Sequence, residues 1–421
     1  MFKFIHAADI HLDSPLIGLE RYDGAPVEQI RGATRHALEN LVRLAMDERA
    51  AFLLIAGDLY DGNWRDYNTG LFLVKEMTRL KEAGVRVFII AGNHDAESNL
   101  TRNLGNLPDN VKRFSTRFAQ TDILEDLGVA VHGQGFPRRV VTEDMSAGYP
   151  AAEKGYFNIG LLHTCADGRE GHEPYAPCSL PGLLAKDYQY WALGHIHRRE
   201  ILSEKPYILF PGNTQGRHIR ETGPKGCTMV TVEDGDVTSL EHRDLDVLRW
   251  ATLNIDASDA KDGDDIVELV RPAIRREMQT CDGRLLAARL KVVGSCKAHE
   301  ELSADPAKWI NELRAMATDE GGGDVWLEKV QLNTGAQVDL EEAQKRQDPV
   351  GDLLRFVQEL ANEDGLGSLT AELEALREKL PVELRQGAMS LNLDKPETLR
   401  EVLEDVQQLL VPLLLSKGGP S

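Results

Sequence analysis

The sequence has few cysteines, no long apolar run and no excess of positive charge, and each shortage excludes a class of protein. There are five cysteines: Cys165, Cys178, Cys227, Cys281 and Cys296. Because their number is odd and no two form a Cys-x-x-Cys pair, they favour a reducing compartment over a disulfide framework. Near the C-terminus the longest apolar run, residues 409–415, falls short of the roughly 20 residues that cross a bilayer. Residues 1–9 lack a basic segment followed by a long apolar one. We therefore expect a cytoplasmic protein with no signal peptide and no membrane association.

The shortage of positive charge bears on nucleic-acid binding. The formal net charge is -20 and the pI is about 5.1, whereas a protein that holds nucleic acid by itself usually presents a basic surface. No basic patch interleaved with aromatic residues is evident, so stacking on single strands is not supported. A nuclease is not excluded, because carboxylates that bind metal cations account for part of the negative charge.

The first half of the chain alternates strand and helix patterns, which predicts an α/β domain. Strands are predicted at 2–8, 52–56, 85–91, 157–162 and 190–193, and helices at 30–44 and 71–81. A polar cluster follows each of these strands. Because sites in α/β sheets form beyond the carboxyl ends of the strands, clusters far apart in sequence are expected to converge.

The second half of the chain has a different pattern of predicted strands and helices. A hairpin is predicted around the turn at Asp234-Gly235, and a small β-α-β-α-β unit follows it. Its strands are predicted at 249–255, 285–293 and 325–333, and its helices at 264–279 and 300–317. From Gly335 onward the composition is acidic and helical, with apolar faces predicted at Leu353/Phe356/Leu360, at Leu369/Leu373/Leu376/Leu380 and at Leu399/Leu403/Val406/Leu410. The 421 residues exceed one ordinary domain, and we predict domains at 1–244, 245–334 and 335–421.

Five polar segments carry the chemistry. They are Asp9-x-His11, Gly57-Asp58-x-x-Asp61, Gly92-Asn93-His94-Asp95, the single His163, and Gly194-His195-x-His197. Imidazole and carboxylate together suit divalent manganese, iron or zinc, and an i, i+2 pair at a strand end presents both side chains to one ion. The three glycines are expected to allow sharp turns. One such pair is weak evidence, but the ordered set predicts a metal site; for His163 a buried structural histidine is the alternative.

These segments resemble the calcineurin-like metallophosphoesterases over residues 1–244. Within that class, residues 8–12 (Ala-Asp-Ile-His-Leu) and 211–215 (Pro-Gly-Asn-Thr-Gln) are similar to the SbcD/YhaO-type DNA repair exonucleases. The resemblance implies a metallophosphoesterase sandwich, a small α+β capping domain at 245–334 and a helical C-terminal region that docks on an SMC-like coiled-coil ATPase. It also implies a two-metal DNA exonuclease, with manganese expected first and iron or zinc as alternatives. A homodimer is a further expectation. The apolar face of the 30–44 helix, or a surface near it, would form the dimer contact; alternatively, that face packs in the protein's own core.

The resemblance also implies a role for each site residue. One metal ion would take Asp9, His11, Asp58 and His197, and the other Asp58, Asn93, His163 and His195, so that Asp58 bridges them. His94 would act on the leaving oxygen of the phosphate, and Asp61 would orient the His94 ring. Relatives commonly have glycine where this chain has Asp13. Two roles are considered for the Asp13 carboxylate: contact with the metal site through a water molecule, or capping of its own loop.

Basic residues after the last histidine pair are candidates for phosphate contacts, chiefly Arg198, Arg217 and His218, with a solvated charged face as the alternative. The same metal site also suits a phosphodiesterase or phosphatase that acts on small molecules or phosphoproteins. A third alternative, a binding scaffold on an inactive phosphoesterase fold, is disfavoured because every expected ligand is present.

Overall fold

The computed structural model describes residues 1–14, 26–61, 67–97, 107–166, 176–337, 345 and 347–362, and isolated positions from 366 to 406. The chain divides into two compact units. One comprises residues 1–253, 273–290 and 314–329, and the other residues 254–272, 291–313 and 330–421. The predicted domain boundaries after residues 244 and 334 stay predictions.

Two six-stranded sheets form the centre of the first unit. One contains β1 (Phe2–Ala7), β2 (Phe52–Ala56), β3 (Arg86–Ile90), β4 (Val111–Arg113), β11 (Gly226–Glu233) and β12 (Asp236–Asp244), in the spatial order β12-β11-β1-β2-β3-β4. The other contains β5 (Gln120–Leu124), β6 (Val129–Gly133), β7 (Phe157–His163), β8 (Tyr190–Gly194), β9 (Glu200–Glu204) and β10 (Tyr207–Phe210), in the order β5-β6-β7-β8-β10-β9. The pairs β1–β2, β2–β3, β6–β7 and β7–β8 are parallel, so within each sheet these strands end at the same edge.

An apolar core joins the two sheets face to face. Phe4, Phe52 and Phe88 from the first sheet pack with Ile159 and Leu161 from the second, and all are almost fully buried. Aromatic and β-branched side chains at alternate strand positions supply this layer because successive residues of a strand point to opposite faces. The predicted sandwich is confirmed, and the strands from 120 to 133 and from 200 to 210 are additions that the sequence patterns did not reveal.

Helices cover the outer face of the first sheet. They are α1 (Val27–Asp47) and α2 (Tyr67–Glu82), and the short α3 (Asn93–Glu97) and α4 (Leu180–Leu184) follow later in the chain. On α1 the apolar stripe of Leu38, Leu41 and Val42 packs in one cluster with Ile55 of β2. The face considered for a homodimer is therefore part of the protein's own core.

A three-stranded sheet follows, in the order β13-β14-β15. Its elements are β13 (Leu248–Asp256), α5 (Gly263–Cys281), β14 (Leu285–Cys296), α6 (His299–Ala304), α7 (Pro306–Glu320) and β15 (Val325–Ala336). The predicted element order is confirmed, but the single helix predicted at 300–317 is wrong. Asp305, with φ -142° and ψ 75°, separates α6 from α7 because a residue that precedes proline disfavours the helical conformation.

The C-terminal region contains α8 (Pro349–Leu360), as predicted. Leu354 and Val357 are buried on its inner side, whereas Phe356 is 56% exposed. Leu353 and Leu360 pack against the apolar cluster that contains Val357, but Phe356, which was predicted on the same face, does not. Positions 376, 380, 409–415 and the rest of that tail lie outside the described residues. Among the described residues, every helix is too short or too polar to cross a membrane.

Candidate metal centre

The strand ends bring the predicted ligands together from both sheets. Asp9 and His11 follow β1, Asp58 follows β2 and Asn93 follows β3, while His163 ends β7 and His195 and His197 follow β8. Backbone hydrogen bonds join the first two loops: the Asp9 amide donates to Gly57 O at 3.1 Å and the His11 amide to Asp58 O at 3.0 Å. The expected convergence therefore occurs, and the strand ends of both sheets contribute to it.

Backbone strain is concentrated at these positions. Residues other than glycine rarely adopt a positive φ, but four of the predicted ligands do: Asp9 (51°), His11 (46°), Asp58 (51°) and His195 (105°). Each such conformation costs on the order of 1 kcal/mol or more and persists only where the surrounding structure imposes it. Strain shared by residues from three loops is typical of a functional site.

The three glycines of the motifs serve two different purposes. Gly57 has φ 89°, and a Cβ there would also lie 2.4 Å from His163 Nδ1. Gly92 and Gly194 do not have a positive φ, so the turns predicted there do not depend on a backbone conformation that favours glycine. They are needed for close approach, because a Cβ would lie 2.2 Å from Asp58 Oδ1 at Gly92 and 1.9 Å from Ala56 O at Gly194.

One group of ligand atoms comes from Asp9, His11 and His197, which lie within 4.8 Å of one another. The Nε2 atoms of His11 and His197 are 3.2 Å apart. His197 donates its Nδ1 hydrogen to Glu221 Oε1 at 2.7 Å, which leaves the Nε2 lone pair directed into the group. Two ring nitrogens that converge in this way are typical of a shared cation.

A second group comes from Asp9, Asp58 and His163. His163 donates from Nδ1 to Ala56 O at 2.8 Å, so its Nε2 is an acceptor. That Nε2 lies 2.9 Å from Asn93 Oδ1, which is an acceptor as well. A cation between them satisfies both atoms, so the donor set fits a metal ion on this evidence.

Asp58 occupies the position expected of a bridging ligand. Its Oδ1 accepts the His94 amide at 2.9 Å, and its Oδ2 lies 3.8 Å from His11 Nε2 and 3.5 Å from His163 Nε2. His195 donates its amide to Asp9 at 3.0 Å, and its ring centroid lies 5.3 Å from that of His163. The division into two ligand sets stays a prediction, since Asp9 also groups with Asp58 and His163, and His94 groups with His11 and Asp58.

The charges of the site favour a bound cation. Burial, and then the charge of Asp58, raise the pKa of Asp9 well above its ordinary value, and burial raises the pKa of Asp58. Burial also lowers the pKa of His163 to about 3, so its ring is neutral and its lone pair is available. Buried carboxylates beside neutral imidazoles are stabilised when a divalent cation replaces their protons.

His94 stands at the open side of this cluster. Its Nδ1 lies 2.8 Å from Asp61 Oδ1, and its side chain is 34% exposed. Burial lowers the pKa of His94, but the hydrogen bond with Asp61 and the charge of Asp58 outweigh that effect and hold it above the ordinary value. For Asp61, burial is outweighed by hydrogen bonds from His94 and Ser14, and the pKa falls to about 2. The orienting role of Asp61 stays a prediction, now with a direct contact behind it.

The basic residues proposed for phosphate contacts differ in their surroundings. Arg198 is exposed and makes no hydrogen bond or ion pair with residues that the structure describes, while His218 is 53% exposed at 3.6 Å from Glu221. Arg217 is only 13% exposed and lies between Asp61 and Glu221. The Asp13 carboxylate accepts two hydrogen bonds from Arg35, at 2.7 and 2.5 Å, and its contact with the metal site through water stays a prediction.

Two acidic residues of the site escaped sequence reasoning. Glu221 supports His197 from a loop with no recognised motif, and only its place shortly after the 211–215 segment hinted at it. Asp95 was treated as part of the Asn93-His94 motif without a role of its own. It accepts the amides of Leu59, Tyr60 and Gly92 at 2.9–3.1 Å and so fixes the two loops on which Asp58 and Asn93 lie.

Comparison with known proteins decides the family. The family described as calcineurin-like phosphoesterase matches residues 2–199, and the middle domain of metallophosphoesterase YhaO matches residues 250–335. This chain carries a calcineurin-like phosphoesterase domain. The predicted resemblance is thereby confirmed, for both the phosphoesterase class and the YhaO branch.

Three relatives of the phosphoesterase domain illustrate the range of similarity. The uncharacterized metallophosphoesterase YhaO of Bacillus subtilis is 37% identical over 271 residues, 63% of this chain and 66% of that protein. The DNA double-strand break repair protein Mre11 of Sulfurisphaera tokodaii is 25% identical over 281 residues, 62% of this chain and 67% of that protein. A dimetal phosphatase from Danio rerio has 12% identity and a TM-score of 0.36, over 58% of this chain and 97% of that structure. The chain thus spans about two thirds of the length of each of these two curated relatives.

Proposed function

We propose that this protein is a two-metal-dependent DNA exonuclease that hydrolyses phosphodiester bonds in DNA repair. The observation that carries the proposal is the pair of facing acceptors, His163 Nε2 and Asn93 Oδ1, next to the converging His11 and His197 rings. A phosphoesterase site built for cations follows from this geometry. The choice of DNA is supported by the similarity to a protein named for double-strand break repair.

The protein's own residues supply positions and proton transfer. Asp9, His11, Asp58, Asn93, His163, His195 and His197 are the residues that hold the cations. Two divalent ions, for which manganese is the first choice and iron or zinc the alternatives, supply Lewis acidity to water and phosphate when they are bound. His94, partly exposed and held by Asp61, is placed to donate a hydrogen bond or a proton to an oxygen of the substrate.

A partner fits the acidic chain, since a net charge of -20 opposes binding to DNA by this protein alone. We propose that α8 and the residues after it dock on an SMC-like ATPase, which contributes to the hold on DNA. The 56% exposed ring of Phe356 supports a contact there. Loss of co-purification with a co-expressed SMC-like ATPase in Phe356→Glu, with retention in the wild type, is the expected result; equal recovery of both would contradict the docking site.

Degradation of end-labelled linear duplex DNA with manganese tests the nuclease. We expect the wild type to degrade the duplex and His94→Ala to leave it intact. His36→Ala is a matched control, because His36 is an exposed histidine that pairs with Glu39 on the surface of α1. If the wild type cleaves a bis-aryl phosphodiester but not DNA, even with the ATPase, the nuclease proposal is wrong and a small-molecule phosphodiesterase takes its place.

A further inference from the structure

The side chain of Glu221 is buried, and hydrogen bonds hold both of its carboxylate oxygens. It is 7% exposed and lies on the loop that follows β10. Its Oε2 accepts the Arg217 amide at 2.8 Å and Asn213 Nδ2 at 2.9 Å. Its Oε1 accepts His197 Nδ1 at 2.7 Å and Arg217 Nη2 at 3.2 Å. Four hydrogen bonds fix both oxygens, so the carboxylate has one orientation.

That orientation determines what His197 presents to the site. Because Nδ1 donates to a carboxylate, the tautomer with a lone pair on Nε2 is selected. Nε2 then lies 3.2 Å from His11 Nε2 and 3.9 Å from Asp9 Oδ1. The His197 carbonyl is fixed as well, since it accepts Lys225 Nζ at 3.1 Å. Both the ring and the backbone of His197 are therefore set before any ligand binds.

Arg217 connects Glu221 to the Asp61–His94 pair. Its Nη2 reaches Glu221, and its Nη1 lies 3.4 Å from Asp61 Oδ2. Asp61 in turn contacts His94 Nδ1 at 2.8 Å. A planar guanidinium can join two carboxylates in this way, and its positive charge offsets part of their combined negative charge.

We propose that Glu221 is the positioning residue of the metal centre: it holds His197 as a preformed ligand and, through Arg217, ties it to the Asp61–His94 pair. The inference rests on the metal site of the proposed function and does not depend on DNA as the substrate. A carboxylate behind a metal-bound imidazole typically contributes a factor of about 10–100 in metal affinity.

Calorimetric titration of the metal-free full-length protein with Mn²⁺ tests the proposal. We expect Glu221→Gln to weaken one of two Mn²⁺ affinities by about 10–100-fold, and the shorter carboxylate of Glu221→Asp to recover part of that loss. The matched control is Glu328→Gln, which removes a buried carboxylate paired with Arg289 outside the site and is expected to bind Mn²⁺ like the wild type.

Wild-type affinity for both ions in a folded Glu221→Gln variant would overturn the proposal. If Glu221→Gln does not fold, Glu221→Asp decides: an intermediate affinity supports the role and an unchanged one overturns it. A wild-type protein that binds two Mn²⁺ ions but degrades no DNA refutes only the nuclease assignment, because the titration contains no substrate.

Discussion

The Nδ1 atom of His94 lies 2.8 Å from Oδ1 of Asp61, and Asp61 accepts two further hydrogen bonds, from Ser14 Oγ at 2.5 Å and from Arg217 Nη1 at 3.4 Å. These contacts restrict the ring of His94, whose side chain is 34% exposed. A proton donor is most effective when its ring is already oriented and its protonated form is stabilised. His94, whose pKa is raised, therefore differs from His11 and His163, whose pKa values burial lowers.

Replacement of His94 by alanine should lower kcat for phosphodiester cleavage by about 100- to 10,000-fold, the usual contribution of a positioned acid or base. Mn²⁺ binding should persist, because the proposed ligands stay in place. Asp61→Asn should reduce kcat less, since the His94 ring remains. Steady-state kinetics together with calorimetric Mn²⁺ titration would check this, and loss of Mn²⁺ affinity in His94→Ala would assign His94 to the metal instead.

Arg217→Lys should lower kcat more than it changes KM. A lysine ammonium cannot reach Asp61 and Glu221 together with the fork of a guanidinium, so the Asp61–His94 pair should become less ordered. Arg43→Lys serves as the matched control, because Arg43 is exposed on α1, where it donates a hydrogen bond to Asn40 Oδ1. A rise in KM with unchanged kcat for Arg217→Lys would instead identify Arg217 as a phosphate ligand.

Metal binding should stabilise the protein. Excess Mn²⁺ at 100 times its dissociation constant adds about 2.7 kcal/mol to the free energy of unfolding. For a domain of this size that corresponds to a rise in Tm of about 5–10 °C over a sample in chelator. Asp58→Asn should remove most of the rise because Asp58 contacts both candidate groups, whereas Glu328→Gln should keep it. An equal rise in wild type and Asp58→Asn would place the ions elsewhere.

Much of this site could be predicted from the sequence because its ligands lie in short segments directly after apolar strands. The pairs at Asp9/His11 and His195/His197, together with Asn93-His94, mark their own positions. The strands themselves were evident where they are long and buried on both faces. Two facing sheets could not be predicted in detail, since strands such as β5 and β9 are half-exposed and carry no strong apolar pattern.

The supporting residues were beyond sequence reasoning for a different reason. Glu221 acts through a loop that only the folded chain places behind His197, and its identity as a carboxylate is common in any acidic sequence. Arg217 was predicted to contact phosphate because basic residues near a metal site often do, and this stays a prediction; its two carboxylate partners lie 156 and 4 positions away. The positions of these residues in the sequence therefore do not predict that Arg217 contacts Asp61 in the folded protein.

Gly194→Ala should destabilise the protein by about 1–3 kcal/mol, the usual cost of forcing an extra methyl group into a packed region. The added Cβ would lie 1.9 Å from the Ala56 carbonyl oxygen, so either β2 or β8 must shift. Gly148→Ala is the control, since a Cβ there meets nothing within 4 Å, and we expect a change below about 0.5 kcal/mol. Urea unfolding would measure both, and equal stability of the two variants would contradict the packing argument.

His6 should make the fold less stable as the pH falls. It is fully buried, with Nδ1 3.0 Å from the Tyr190 hydroxyl and Nε2 3.1 Å from Leu193 O, and burial lowers its pKa from 6.5 to about 3. Between these values the unfolded chain binds more protons, so this contribution is complete above pH 6.5 and is lost as the pH falls toward 3. The expected slope is about 1.4 kcal/mol per pH unit. Urea unfolding in chelator should show that slope reduced by this amount in His6→Gln, and identical slopes in both proteins would mean that His6 accepts a proton inside the fold.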